Sequence, residues 1–190
     1  INAPYYNRPS QEGVRRHIMS VVEATDLPVM IYDIPGRTGV RITDGTLARL
    51  AEHERVLAVK DATGDVEQGF RRMEATGLEY YSGDDGLNFA WLTHGASGVI
   101  SVVAHADAHS WREMITEVDA GDLVAARAVA RRIRPLVSTI MGGGQGAVMA
   151  KEALLLQGRI PCAALRLPLV RAQADDVAAL RGVLEDVGLL

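Results

Sequence analysis

Four short apolar runs punctuate the first hundred residues, each followed by a stretch with helical spacing. Pro28-Val29-Met30-Ile31-Tyr32-Asp33-Ile34 is the first, Arg55-Val56-Leu57-Ala58-Val59-Lys60 the second, and Leu78-Glu79-Tyr80-Tyr81-Ser82 the third. Gly98-Val99-Ile100-Ser101-Val102-Val103 is the fourth. Near-continuous apolar runs predict parallel strands covered on both faces, since a strand with one wet face alternates instead. Helix start signals fill the intervals. Ser10 can cap a helix to about Ala24 with Glu12 in its first turn, and Thr43 one to about His53. Asp65 can cap a helix that stops at Gly77, and Asp84 or Asp85 can open one through Trp91. Strands alternating with helices at this spacing predict repeated βα units and a parallel sheet.

The pattern changes near His105. No strand candidate follows, and helices are expected over 107–119, 122–140, 146–157 and 173–187, with breaks at Gly121, Gly142-Gly143-Gly144, Pro161 and Pro168. Two regions result: residues 1–104 as a partial (β/α) barrel, and 105–190 as its last helix plus an all-helical C-terminal subdomain. Four βα units make half of a (β/α)8 barrel, so the fold class expected is α/β, the second half of a TIM barrel with a helical extension. A small open doubly wound sheet is the competing topology. The chain opens on Ile1, and its first residues already look like the end of a strand, so something is expected to precede them.

Composition narrows the function classes. With 48% hydrophobic and 23% charged residues the chain can bury a real core. Its net charge of −4 offers no electrostatic attraction to nucleic acid or an anionic membrane. No apolar run reaches the ~18 residues of a membrane helix. The lone Cys162 rules out an intrachain disulfide and fits a reducing cytoplasm, with the thiol read as a small apolar filler.

Chemistry in parallel α/β folds gathers at the carboxyl ends of the strands. Lys60 stands at such an end behind four apolar residues. Desolvation lowers a lysine pKa, and a neutral amine can attack a ketone to form an imine. On position alone a lysine emerging into solvent is the commoner case, since strand-end lysines are common and only some are catalytic. Tyr32 ends the preceding strand at the same height, where a phenol can relay protons or simply pack at the rim. Arg37 lies in Pro-Gly-Arg-Thr-Gly, a turn that could hold a guanidinium for bidentate capture of a carboxylate or leave it solvated. Other constellations are weaker. His105 and His109 are spaced to share a helix face but lack a third ligand, so no metal site is expected. Gly142-Gly143-Gly144-Gln145-Gly146 follows a helix rather than a strand and reads as an interhelical turn. Arg127, Arg131, Arg132 and Arg134 read as a solvated helix face, and Trp91 and Trp111 as core or interface anchors.

Five ordered segments carry a resemblance: Pro-Tyr-Tyr-Asn-Arg-Pro-Ser-Gln-Glu-Gly (4–13), Tyr-Asp-Ile-Pro-Gly-Arg-Thr-Gly (32–39), Val-Lys-Asp-Ala-Thr-Gly-Asp (59–65), Ser-Gly-Asp-Asp (82–85) and Gly-Val-Ile-Ser-Val (98–102). Together with the closing Arg-Leu-Pro (166–168), they resemble the dihydrodipicolinate synthase family of pyruvate-dependent Schiff-base aldolases, which includes N-acetylneuraminate lyase. The resemblance implies that Lys60 forms an imine with pyruvate and that Tyr32 belongs to a proton relay. It implies that Tyr6 reaches into a neighbouring subunit's site, so a homo-oligomer is expected, and that Arg37 binds the carboxylate of aspartate β-semialdehyde. Gly83 and Ile100 match positions whose backbone lines the pyruvate pocket. The implied reaction is condensation of pyruvate with aspartate β-semialdehyde to 4-hydroxy-tetrahydrodipicolinate, on the route to diaminopimelate and lysine. It implies no metal or organic cofactor. The family's Gly-Thr-Thr-Gly-Glu-like loop, whose threonine links the two tyrosines, has no match here, and about four strands are expected to be lacking, so synthase turnover by this chain alone is expected to be negligible. Two rival readings stand: an aldolase or lyase for sialic acid or a keto-deoxy sugar acid, and a truncated, non-catalytic assembly partner.

Overall fold

The computed structural model describes residues 1–190, which divide into two compact units, Ile1–Ile100 and Ser101–Leu190. In the first, β1 (Val29–Asp33), β2 (Val56–Asp61), β3 (Glu79–Ser82) and β4 (Gly98–Val99) form one parallel sheet in the order β1-β2-β3-β4. Between them run α1 (Gln11–Val22), α2 (Pro35–Thr38), α3 (Asp44–Ala51), α4 (Val66–Thr76) and α5 (Asn88–Thr93). The opening residues lie alongside β1, where the Tyr32 N–H donates to the Ile1 carbonyl at 2.7 Å and Asn2 bridges Tyr32 in parallel.

Alternation along the strands sorts their side chains. Ile31, Val59 and Tyr80 join one buried apolar cluster with Val14, Ile18 and Val22 of α1, Leu47 and Leu50 of α3 and Trp91 of α5. Tyr32, Lys60 and Tyr81 alternate with these residues and are only half-buried. The core's largest member, Trp91, stacks on Tyr80 at 5.6 Å and takes the edge of Phe70 at 5.2 Å.

Local capping explains where the helices begin. The Ser10 hydroxyl accepts the Gly13 N–H, Asp65 accepts the Gln68 N–H, and α4 stops at Gly77 in a left-handed conformation. Thr43 precedes α3 but does not cap it. Its hydroxyl and amide instead meet the Gln11 side chain, which fastens α3 to α1.

The second unit contains a short 3-10 turn (Val103–His105), α6 (Ala108–Asp119), α7 (Leu123–Gly142), α8 (Gly146–Leu156) and α9 (Ala174–Asp186). Asp107 and Asp122 cap α6 and α7, and Gly143 and Gly144 lie in the turn to α8. Met114, Leu136, Ile140, Met149 and Leu180 are fully buried within it. Glu152, also buried, is held by a two-bonded fork from Arg171 at 2.6 and 2.8 Å.

Several expectations differ from the structure for identifiable reasons. The fourth strand pairs only over Gly98–Val99, because the Ser101 hydroxyl accepts the Ala104 N–H and turns the chain into the 3-10 segment. Asp84 and Asp85 do not cap α5, which starts at Asn88 after a turn. A short helix, α2, occupies the Pro-Gly-Arg-Thr turn. His105 and His109 share no continuous helix, since Asp107 interrupts it as the cap of α6. Cys162 is exposed rather than a buried filler. No helix is long and apolar enough to cross a membrane.

Gly69 of α4 lets the Trp91 ring approach: a Cβ there would lie 2.1 Å from the indole Cη2. Alanine has the better helix propensity by about 1 kcal/mol, but overpacking a rigid core costs about 1–3 kcal/mol. With both neighbours of the ring fixed, the clash wins. Gly69→Ala is expected to lower the denaturation midpoint in urea, and an unchanged or raised midpoint would show that the Trp91 cluster yields easily.

Candidate active site

The strand register sets the site. Tyr32 pairs with Lys60, Lys60 with Tyr81, and Tyr81 with Gly98, so these residues form one row across the sheet. Lys60 is one residue from the carboxyl end of β2. Its Nζ lies 4.2 Å from the centre of the Tyr32 ring. Burial depresses the amine below the ordinary lysine range, Asp85 partly opposes this, and Arg37 adds to it. Burial raises the Tyr32 phenol, with Arg37 pulling the other way, so the phenol stays neutral at pH 7. Arg37 thus acts on both members of the pair from α2, whose last turn is closed by the Gly39 N–H on the Pro35 carbonyl.

Gly83 makes the lysine's path possible. A Cβ on it would stand 2.8 Å from Lys60 Cε and 2.9 Å from Cγ. Its N–H donates to the Asp61 carbonyl at 2.7 Å, so the glycine backbone is fixed directly against the lysine stem. Ile100 sits just past β4, its N–H donating to the Ser82 carbonyl at 2.8 Å, with its side chain partly exposed. Tyr6 is not brought to this group. It is 89% exposed, in a segment where both Tyr6 (φ 73°) and Arg8 (φ 44°) adopt left-handed backbone. Such conformations cost a non-glycine residue about 1–3 kcal/mol and persist only where surroundings enforce them.

Two features escaped the sequence reading. Asp85, taken there as a helix cap, is buried, accepts from Asn88 Nδ2 at 3.2 Å and supplies the acidic influence on Lys60. The second is an ion-pair layer behind the row of Tyr32 and Lys60. Asp33 and Asp61, the residues next to Tyr32 and Lys60, are register partners and alternate to the buried side of the sheet. Arg72 of α4, 4% exposed, donates to Asp33 Oδ2 at 3.2 Å, to Asp44 Oδ1 at 2.6 Å and to the Ile42 carbonyl at 2.6 Å. Burial pushes the Asp33 carboxyl up to about 6 despite that pairing, and raises Asp61 too. An arginine on the inner face of an amphipathic helix was the available signal for this layer. No cluster of three or more His, Cys, Asp or Glu side chains is arranged to hold a metal ion.

A parallel sheet with helices between its strands, presenting a half-buried lysine near a strand end, has the layout of part of a (β/α)8 barrel. The model of the Dihydrodipicolinate synthetase family matches residues 1–187, and the chain belongs to that family. It is 46% identical over 187 residues to the 4-hydroxy-tetrahydrodipicolinate synthase of Bifidobacterium animalis subsp. lactis (strain AD011), covering 98% of this chain and 62% of that protein. Identity to the enzyme of the same name from Kineococcus radiotolerans is 49% over 186 residues, 98% of this chain and 60% of the relative. The solved dihydrodipicolinate synthase from Acinetobacter baumannii, chloride-inhibited and complexed with pyruvate, superposes with a TM-score of 0.93 at 34% identity. The match covers all of this chain and 65% of that one. The four strands and the helices after them correspond to the C-terminal part of the relatives' barrel and their helical subdomain, and the chain spans about 62% of the relatives' length.

Because its amine is held below the ordinary range, Lys60 is expected to react with a small acylating reagent at lower pH than a free lysine side chain, whose pKa is about 10.4. Peptide mapping across a pH series measures this directly. A Lys60 labelling midpoint at or above the free value would mean that solvent reaches the amine freely.

Proposed function

We propose that this chain carries the imine-forming centre of a 4-hydroxy-tetrahydrodipicolinate synthase, joining pyruvate to aspartate β-semialdehyde. The observation that carries the reading is the Lys60 amine, depressed by burial and set against the Tyr32 ring at a strand end. The neutral amine attacks C2 of pyruvate, water leaves, and a protonated imine forms. Loss of a proton from C3 gives the enamine, whose carbon attacks the aldehyde of the second substrate. The amino group of that adduct then attacks C2, closing the ring and releasing Lys60. The protonated imine is itself the electron sink, so the chemistry calls on no metal or organic cofactor.

Tyr32, neutral at pH 7, has the protonation state a relay needs for giving and retrieving protons at the carbinolamine and aldehyde oxygens. Gly83 leaves room for the lysine stem, and its backbone with that of Ile100 lines the pyruvate pocket. Arg37 grips the carboxylate of aspartate β-semialdehyde, a role that favours this aldehyde over polyhydroxylated sugar acids. Tyr6, held outward by its backbone, serves the site of a neighbouring subunit in a homo-oligomer. A single exposed cysteine suits a cytoplasmic enzyme.

Borohydride reduction in the presence of labelled pyruvate tests the reading. The chain has two lysines, Lys60 and Lys151. The trapped adduct is expected on Lys60 and lost in Lys60→Ala with the fold unchanged by circular dichroism, whereas label on Lys151 would refute the assignment. With the rest of the family's barrel supplied, Arg37→Ala is expected to leave trapping intact and to lower kcat/KM for the semialdehyde by about 1 kcal/mol, the scale of a charged contact made by an exposed side chain. Equal damage to both steps would make Arg37 a structural residue.

A further inference from the structure

Arg37 lies within residues 34–41, an excursion from the end of β1 to the start of α3. Its two ends meet. Asp33 Oδ1 accepts the Ile42 N–H at 3.3 Å, and the Arg72 guanidinium spans both ends, donating to Asp33 Oδ2 at 3.2 Å and the Ile42 carbonyl at 2.6 Å. Its Nε also holds Asp44 in the first turn of α3 at 2.6 Å. Inside the excursion, the Thr38 hydroxyl lies within donating distance of the carbonyls of Ile34 (3.1 Å) and Val40 (2.9 Å), which braces the loop from within. Where the loop points is fixed at its base, and the base is buried: Asp33 and Arg72 are 3% and 4% exposed. A planar fork with donors on three sides can tie a carboxylate, a carbonyl and a second carboxylate at once, and a lysine cannot.

We propose that Arg72 is a positioning residue: by locking the base of the loop at residues 34–41, it sets where Arg37 meets the carboxylate of the aldehyde substrate. The inference rests on the reading of Arg37 given above. Arg72 sits behind the sheet and touches no reacting group, so its main effect falls on the second substrate. Lys60 is placed by β2 and Gly83, which the clamp does not hold.

Arg72→Lys keeps the buried charge but cannot span all three acceptors, and Arg72→Met removes the charge as well. Steady-state kinetics with each substrate varied, on the chain joined to the family's remaining barrel strands, together with borohydride trapping of pyruvate, separates the possibilities. Arg72→Lys is expected to raise KM for aspartate semialdehyde roughly tenfold, the scale of a sub-ångström misplacement, and to leave KM for pyruvate and trapping on Lys60 unchanged. Arg72→Met should exceed it in the same direction, and if that variant does not fold, Arg72→Lys decides alone. Trapping on Lys60 with both KM values unchanged, or raised in equal proportion, overturns the positioning role and leaves the imine reading standing. Failure of the wild-type protein to trap pyruvate on Lys60 overturns the reading and this inference with it.

Discussion

The constraint on which the proposed chemistry depends is that one amine is kept partly out of water. Lys60 emerges from β2 in a row with Tyr32 and Tyr81, and the free energy of its charge is raised by burial. Two constraints make that placement possible. The parallel register puts Tyr32 directly beside it, and Gly83 supplies the space through which the stem passes. A side chain at position 83 would meet the lysine at Cγ, too near the backbone for the stem to rotate away.

A second layer stands behind the first. Alternation along β1 and β2 makes Tyr32 and Lys60 each the neighbour of a buried carboxylate, Asp33 behind Tyr32 and Asp61 behind Lys60. Two carboxylates side by side in an apolar setting repel, and burial pushes both upward. Arg72 offsets part of this cost and uses its remaining donors on Ile42 and Asp44. Charge balance behind the sheet and loop geometry in front of it are therefore one problem with one solution. The same arginine cannot be replaced by an apolar residue without leaving Asp33 uncompensated.

The features legible in the sequence were those set by local rules. Apolar runs located the strands, Ser10 and Asp65 announced their helices, and the run before Lys60 identified a desolvated strand-end amine. What was not legible depends on contacts across the sequence. Arg72 looked like any helix arginine until the fold brought Asp33, 39 residues away, to its guanidinium. Asp85 lies just ahead of a helical stretch, so it reads locally as a cap, yet the turn carries it inward. The Thr43 hydroxyl turns to the Gln11 side chain of another helix rather than to an amide of α3. The exposure of Tyr6 and its left-handed backbone likewise follow from the folded loop rather than from residue type.

The most direct test is a crystal structure of the protein soaked in pyruvate without reductant. The account predicts continuous electron density from Lys60 Nζ to C2 of a pyruvyl group, with the phenol of Tyr32 alongside. A free Lys60 amine at saturating pyruvate, or pyruvate bound away from the Lys60–Tyr32 pair, would contradict it.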